Sequence, residues 1–270
     1  MYKGNAVAVR GAYHEEDGSC CQDSARVYVA EEFAVAAVSD GHGSEKHFRS
    51  ATGSEMAARI AIRSLCDFHE RNGGFSEMFR RDERNAARRI AANMICRWNS
   101  EIAVHIGAFP LGKREREINE KYGGIANEVM YGATLIVACM FEGGCFGLQI
   151  GDGNVCALSG GKMILPMPDD VNLVGNLTTS LCDSDAIDNF RYFYTEQPFE
   201  GIMLSSDGLI SSFLNTVDYL KFGQRVLTAV ESGLTYSLEE HLKTRSREGS
   251  RDDISISALT AARNRSTYGK

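Results

Sequence analysis

Four segments of the chain end or begin an apolar run with carboxylates. FAVAAVS runs into Asp40-Gly41-His42-Gly43, CFGLQIG into Asp152-Gly153 and GIMLSS into Asp207-Gly208, while Asp252 and Asp253 lead directly into ISISAL. An Asp-Gly pair after a strand is also the commonest tight-turn signal, so none of these carries weight alone. Their repetition does. If the four strands are neighbours, the carboxylates converge at one rim, where they repel one another unless a cation sits among them. A donor set of carboxylates, a backbone carbonyl and water suits a hard ion, Mg²⁺ or Mn²⁺, rather than zinc. The glycines around His42 leave the Gly41 carbonyl uncrowded, as a carbonyl that must meet a ligand requires. His42 is suited to donating a proton or to orienting a water, because imidazole titrates near neutral pH.

The elements that must position these residues can be read from periodicity. Phe33 to Val38 has the small and β-branched composition of a strand buried on both faces. Ala6 to Tyr13 and Arg26 to Ala30 read as short strands, and the connector between them, HEEDGSCCQDS, reads as a turn that carries Gln22 and Asp23. Ala57, Ile60, Ala61 and Leu65 form a helical stripe that Asn72-Gly73-Gly74 breaks. A second long helix buries Ala87, Ile90, Ala91, Met94, Ile95, Trp98 and Ile102. Its other face holds Arg80, Arg81, Arg84, Arg88 and Arg89 among Asp82 and Glu83, which reads as solvated surface with no binding role. Phe109 to Asn127 reads as an exposed loop or short helix. YGATLIVACMF, CFGLQIGD, VCALS and KMIL read as an antiparallel meander. Pro166 to Asn189 is polar and irregular, a flexible excursion beside the rim. RYFYTEQ and GIMLSSD resume the strands, helices follow near 215–231 and 236–247, and DISISAL is the last strand. This order predicts an α+β fold of two packed sheets, each covered by helices, rather than a regularly alternating parallel sheet.

The strands that share the rim lie near residues 35, 150, 205 and 254 of the 270, so a single domain spanning 1–261 with a frayed tail at 262–270 is expected. A net charge of −7 argues against a nucleic-acid partner bound through a basic face, and leaves phosphorylated proteins open. No run of apolar residues reaches membrane-spanning length and the first residues lack a signal-peptide core, so no membrane partner and a cytoplasmic location are expected. The eight cysteines include no C-x-x-C pair and several fall inside apolar runs, which reads as free, buried thiols.

Taken in order, DGHG (40–43), GAT (132–134), IGDG (150–153), SSDGL (205–209) and GSRDDISI (249–256) resemble the motifs of the metal-dependent protein Ser/Thr phosphatases of the 2C type. GAYHEEDGSCCQDS is similar to the opening of a bacterial branch in which Cys-Gln-Asp precedes the second strand. The match covers nearly the whole chain. The resemblance implies a four-layered α-β-β-α sandwich and a centre of two Mn²⁺ or Mg²⁺ ions, with a weaker third in some members. By the same resemblance Asp40 bridges the two ions, Gly41 supplies its carbonyl, Asp207 and Asp252 hold the first ion, and Asp23 meets the water shell of the second. Asp152 is similar to a ligand of the third ion, and Asp253 stands where the family has Asn. His42 is the implied proton donor to the leaving alkoxide.

Three positions depart from the pattern. Gly18 stands where the family has an Arg that clamps the substrate phosphate, with His14 or Lys46 as partial substitutes; Gln22 replaces a Glu; Asn154 replaces an Arg. Three functions follow as expectations. The first is hydrolysis of phosphoserine or phosphothreonine in the substrates of a Ser/Thr kinase. The second is a regulator that binds phosphoprotein without turnover. The third is another carboxylate-metal hydrolase, a phosphodiesterase or nuclease.

Overall fold

The computed structural model describes residues 1–169 and 178–261. Residues 170–177, within the expected excursion, and the expected frayed tail at 262–270 lie outside the described residues. Ten strands form two sheets: β1 (Tyr2–Val9), β2 (Asp23–Val29), β3 (Phe33–Asp40), β4 (Leu135–Phe141), β5 (Gly144–Ile150), β6 (Asn154–Ser159), β7 (Lys162–Ile164), β8 (Arg191–Thr195), β9 (Gly201–Ser205) and β10 (Ile254–Ala261). One sheet has the order β1-β10-β9-β6-β7 and the other β2-β3-β4-β5-β8, with every pairing antiparallel. The helices are α1 (Ala12–Asp17), α2 (Ser50–Asn72), α3 (Ser76–Arg81), α4 (Glu83–Ala108), α5 (Lys113–Lys121), α6 (Asn127–Met130), α7 (Ala186–Asn189), α8 (Asp207–Ile210), α9 (Thr216–Ser232) and α10 (Leu238–Arg245).

The alternation within β3 explains the layering. Ala34, Ala36 and Val38, with Ile136 of the neighbouring β4, face the second sheet, where they meet Val155, Ile202 and Leu204. Phe33, Val35 and Ala37 face the other way, onto Ala57, Ile60 and Leu65 of α2 and the apolar face of α4. A strand with both faces covered must be apolar at every position, as this one is until Ser39. On the far side, Tyr219, Val226 and Val230 of α9 and Leu238 and Leu242 of α10 pack against Val9, Met203 and Ile256. The result is the α-β-β-α sandwich expected.

Four local expectations are corrected. Strand β1 begins at Tyr2 rather than Ala6, because it pairs with β10 along its whole length, from Tyr2 opposite Ala261 to Val9 opposite Ile254. It ends at Val9, and helix α1 takes in Ala12 and Tyr13, read as strand, together with His14 to Asp17, read as turn. That helix is set by distant partners: the Gly11 amide donates to Asp253 Oδ1 at 2.6 Å and the Ala12 amide to Ser246 Oγ at 3.0 Å. The segments β4 to β7 are not one meander, because the chain leaves one sheet after β5 and enters the other at β6. Gly151 makes the crossing at φ +103, where a Cβ would also lie 2.5 Å from Thr134. The cysteines are all free, but Cys20 and Cys96 are exposed rather than buried.

Candidate metal centre

The crossing between sheets is what assembles the site. Asp23 opens β2 and Asp40 closes β3, and the two are direct cross-strand partners. Asp152 sits in the crossing itself, Asp207 at the start of α8 immediately after β9, and Asp252 before β10. Like charges directly opposite one another destabilise a sheet, so this register is an anomaly unless something offsets the charge.

The electrostatics show how closely they gather. Burial, and then the charges of Asp23 and Asp207, push the Asp40 carboxyl far above the usual carboxylate range. Asp40 and Asp207 perturb one another directly, the Asp207 carboxyl adding to the rise at Asp40. Burial pushes Asp207 up as well, reinforced by Asp152 and Asp252. Asp23 rises from 3.8 to about 7, through burial and the charges of Asp253 and Asp207, against the opposing pull of the nearby Ser206 and Ser255 hydroxyls. Both oxygens of Asp23 are shielded from solvent, and neither is in good hydrogen-bonding geometry with a donor, although the Ser206 and Ser255 hydroxyls are near. Asp252 is raised mainly by partial burial, at the exposed side of the group. The five carboxylates named from the sequence are therefore neighbours. Among the described residues no set of three or more His, Cys, Asp or Glu side chains is arranged to hold a metal ion by itself. A hard divalent ion fits what is present: buried Asp23 oxygens in no good hydrogen-bonding geometry, mutually repelling carboxyls at Asp40 and Asp207, and oxygen donors only.

The backbone at the centre is held from both sides. The Asp40 amide donates to Thr134 Oγ1 at 3.1 Å, and the Thr134 amide donates to the Asp40 carbonyl at 2.8 Å. Ser39 Oγ donates to the Thr134 carbonyl at 2.5 Å. Gly41 is wedged so tightly that a Cβ would lie 2.8 Å from the Ser50 carbonyl and 2.9 Å from that of Gln22. The GAT segment is thus the clamp on Asp40, a role the sequence motif does not disclose.

His42 is not free-standing. Its Nε2 lies 2.7 Å from Ser180 Oγ and its ring 4.8 Å from that of His47. Burial lowers its pKa, and burial together with His42 lowers that of His47 to about 4, so both rings are neutral near pH 7. Ser180 lies in the irregular stretch after β7, where no periodicity points to it.

Asp253 has the clearest structural role. Only 3% exposed, it accepts from the Gly11 amide and His14 Nδ1 at Oδ1, and from the Gln22 amide at Oδ2, at 2.6, 2.9 and 2.6 Å. One carboxylate thus ties α1, the start of β2 and the start of β10 together. An Asn has only one acceptor oxygen and would leave one side of this knot unmade. His14 is thereby engaged, and Lys46 lies 5.0 Å over the Tyr122 ring, so neither of the candidate phosphate clamps is unoccupied. Gly18 caps α1 at φ +83, with nothing within 4 Å of where a Cβ would be. Asn154 opens β6, paired with Ser205.

Comparison with known proteins accords with this geometry. A search of curated protein sequences finds no match. Solved structures do match over almost the whole chain: the catalytic domain of the serine/threonine protein phosphatase PstP with two manganese ions (TM-score 0.57, 16% identity, covering 97% of this chain and 98% of that one); the phosphatase PstP/Ppp of Mycobacterium tuberculosis (0.55, 15%, 97% and 99%); and RsbX in complex with magnesium (0.50, 16%, 96% and 94%). At such identities the likeness is one of fold. The model for "Protein phosphatase 2C" matches residues 10–244. The chain, a metal-dependent phosphatase fold with carboxylates where its two sheets meet, belongs to the protein phosphatase 2C family.

Proposed function

We propose that this protein hydrolyses phosphoserine and phosphothreonine in other proteins, at the rim formed by Asp23, Asp40, Asp152, Asp207 and Asp252. The observation that carries this is the buried, mutually repelling set of Asp23, Asp40 and Asp207 in a chain of the protein phosphatase 2C family. Asp40 would serve both of two Mn²⁺ or Mg²⁺ ions, Asp207 and Asp252 the first and Asp23 the water shell of the second, with the Gly41 carbonyl as a further donor and Asp152 for a weaker third. When bound, such a pair lowers the pKa of a water toward neutrality and offsets charge at phosphorus.

The chain's own groups do the rest. Thr134 and Ser39 fix the backbone of Asp40, so its carboxyl cannot retreat from the rim. Ser180 engages Nε2 of His42, which leaves Nδ1 of the neutral ring to orient a water, while handing a proton to the departing Ser or Thr alkoxide requires the minor protonated form. With Gly18 in the clamp position, the substrate phosphate has no guanidinium there, so its charge is met at the rim itself. Gln22 removes one negative charge beside the second ion, and that ion binds more weakly for it. Dependence of the site on both sheets supports reading 1–261 as one domain. No described helix is long and apolar enough to cross a membrane, and we place the protein in the cytoplasm of a bacterium, opposing a Ser/Thr kinase.

The test is phosphate release from a phosphothreonine peptide in Mn²⁺. Release is expected to stop in EDTA and to fall by at least about 10²-fold in Asp40→Asn or Asp207→Asn. Full activity in either variant, or in chelator, would contradict the assignment. Tight phosphopeptide binding without turnover would favour the non-catalytic regulator that Gly18 makes conceivable, and faster hydrolysis of a diester than a monoester would favour a phosphodiesterase.

A further inference from the structure

The outer face of the helical layer over β2–β4 carries a groove that the rim chemistry does not use. Two adjoining hollows, of about 570 and 600 Å³, share Asn72 and Arg89 and run between the end of α2, α3 and the first half of α4. Arg71, Arg81 and Arg89, one from each flank of the groove, are exposed and make no ion pair or hydrogen bond with the described residues. The nearby acids are already engaged or few: Asp67 pairs with Arg97 at 2.6 Å, and Asp82 accepts from the Asn85 amide as the cap of α4, which leaves Glu77. Residues 71–97 hold seven arginines against three acids in a chain whose net charge is −7. Arg80 and Arg88 pair with Glu196 and Asp188, and the groove itself is lined by four arginines against Asp67, Glu77 and Asp82, a small positive excess on an acidic molecule.

A second observation points to a ligand. Ser64, 3% exposed, lines the same groove, and its hydroxyl is buried without any hydrogen-bond partner. A helical serine ordinarily finds a carbonyl one turn back, so an unpartnered hydroxyl in the hollow lined by the unpaired Arg71 and Arg89 is polar capacity that the fold does not use.

We propose that this groove docks an acidic segment of a protein partner, and, given the phosphatase reading, that the partner is the phosphorylated substrate. An extended peptide suits the groove better than a single phosphate, because the arginines come from three helices and are spread along its length. Guanidinium forks match carboxylates in pairs. The overall negative charge disfavours a nucleic acid. The helical rise from Ser50, which abuts Gly41, to Phe68 in the groove is about 27 Å. An extended chain covers that in about eight residues, so the acidic segment of a substrate would lie at least that far from its phosphorylated residue.

The experiment uses the full chain, metal-free, with fluorescein-labelled probes of equal length: a Glu/Asp-rich peptide, a Ser/Gly peptide and a single-stranded oligonucleotide. Anisotropy should show the acidic peptide bound in preference to both others, and weakened at least about fivefold in Arg81→Gln/Arg89→Gln. With Mn²⁺, turnover of p-nitrophenyl phosphate should be the same in wild type and variant, while KM for a phosphopeptide with a distant acidic segment should rise in the variant alone. Equal binding by wild type and variant, or a preference for the oligonucleotide, would overturn the proposal. The binding arm needs no turnover, so it decides the docking site even where the catalytic reading fails.

Discussion

Two buried carboxylates, Asp23 and Asp253, lie in the same corner of the molecule and are treated in opposite ways. Asp253 accepts three hydrogen bonds, two from backbone amides and one from His14. Asp23 receives no backbone amide and has only the Ser206 and Ser255 hydroxyls near it, neither in good hydrogen-bonding geometry, although its oxygens are shielded from solvent. A buried charge that is fully hydrogen-bonded is part of the frame, and one left without donors costs stability that only a further charge can offset. Arg49 belongs with Asp253: 9% exposed, it forms a two-pronged pair with Glu115 at 2.7 and 2.8 Å and reaches Tyr131, and so pins α5 to the start of α2. Asp40 and Asp207 resemble Asp23 in a different respect: burial and the neighbouring carboxylates push both above the usual range. The contrast separates residues that build the corner from residues held ready for something it must bind.

The contrast is broken most forcefully at Asp253. Asp253→Ala removes the acceptor of three donors and leaves them buried, which should cost about 3–5 kcal/mol of unfolding free energy in a denaturant titration. Asp23→Asn should cost nothing in the metal-free protein and should even stabilise it. Similar losses in the two variants would erase the distinction.

A smaller effect, shared among coupled groups, comes from pH. Asp23 titrates near 7 in the folded protein against 3.8 ordinarily, so folding favours its protonated form. The stability it contributes is complete below about pH 4 and is lost as pH rises toward 7. In thermal melts of the chelator-treated protein, wild type should therefore lose Tm relative to Asp23→Asn across that window, and parallel curves would contradict the burial argument. Saturating Mn²⁺ should cancel the loss, because the ion favours the ionised carboxylate.

Much of this was legible in the sequence where a local pattern had a single physical meaning. The unbroken apolar run of β3, the stripe of α4 from Ala87 to Ile102, and carboxylates at four strand ends each name their own environment. What was not legible depends on partners far along the chain. Helix α1 owes its first turn to Asp253 and Ser246, more than two hundred residues away. The crossing at Gly151 to Gly153 looks like any tight turn, since nothing local says that β6 joins the other sheet. The pairing of His42 with Ser180 spans 138 residues and ends in a stretch without periodicity. Asp253, next to a better candidate, could be ranked as a weaker ligand but not recognised as the knot that holds Gln22 and Gly11.

The central claim is that the undersatisfied carboxylates exist to bind divalent cations, and calorimetric titration of Mn²⁺ into the chelator-treated protein tests it without any substrate. Binding should be seen in wild type, should be lost in Asp40→Asn and Asp207→Asn, and should survive in Arg81→Gln/Arg89→Gln. Undetectable binding in wild type, or undiminished binding in Asp40→Asn, would contradict it.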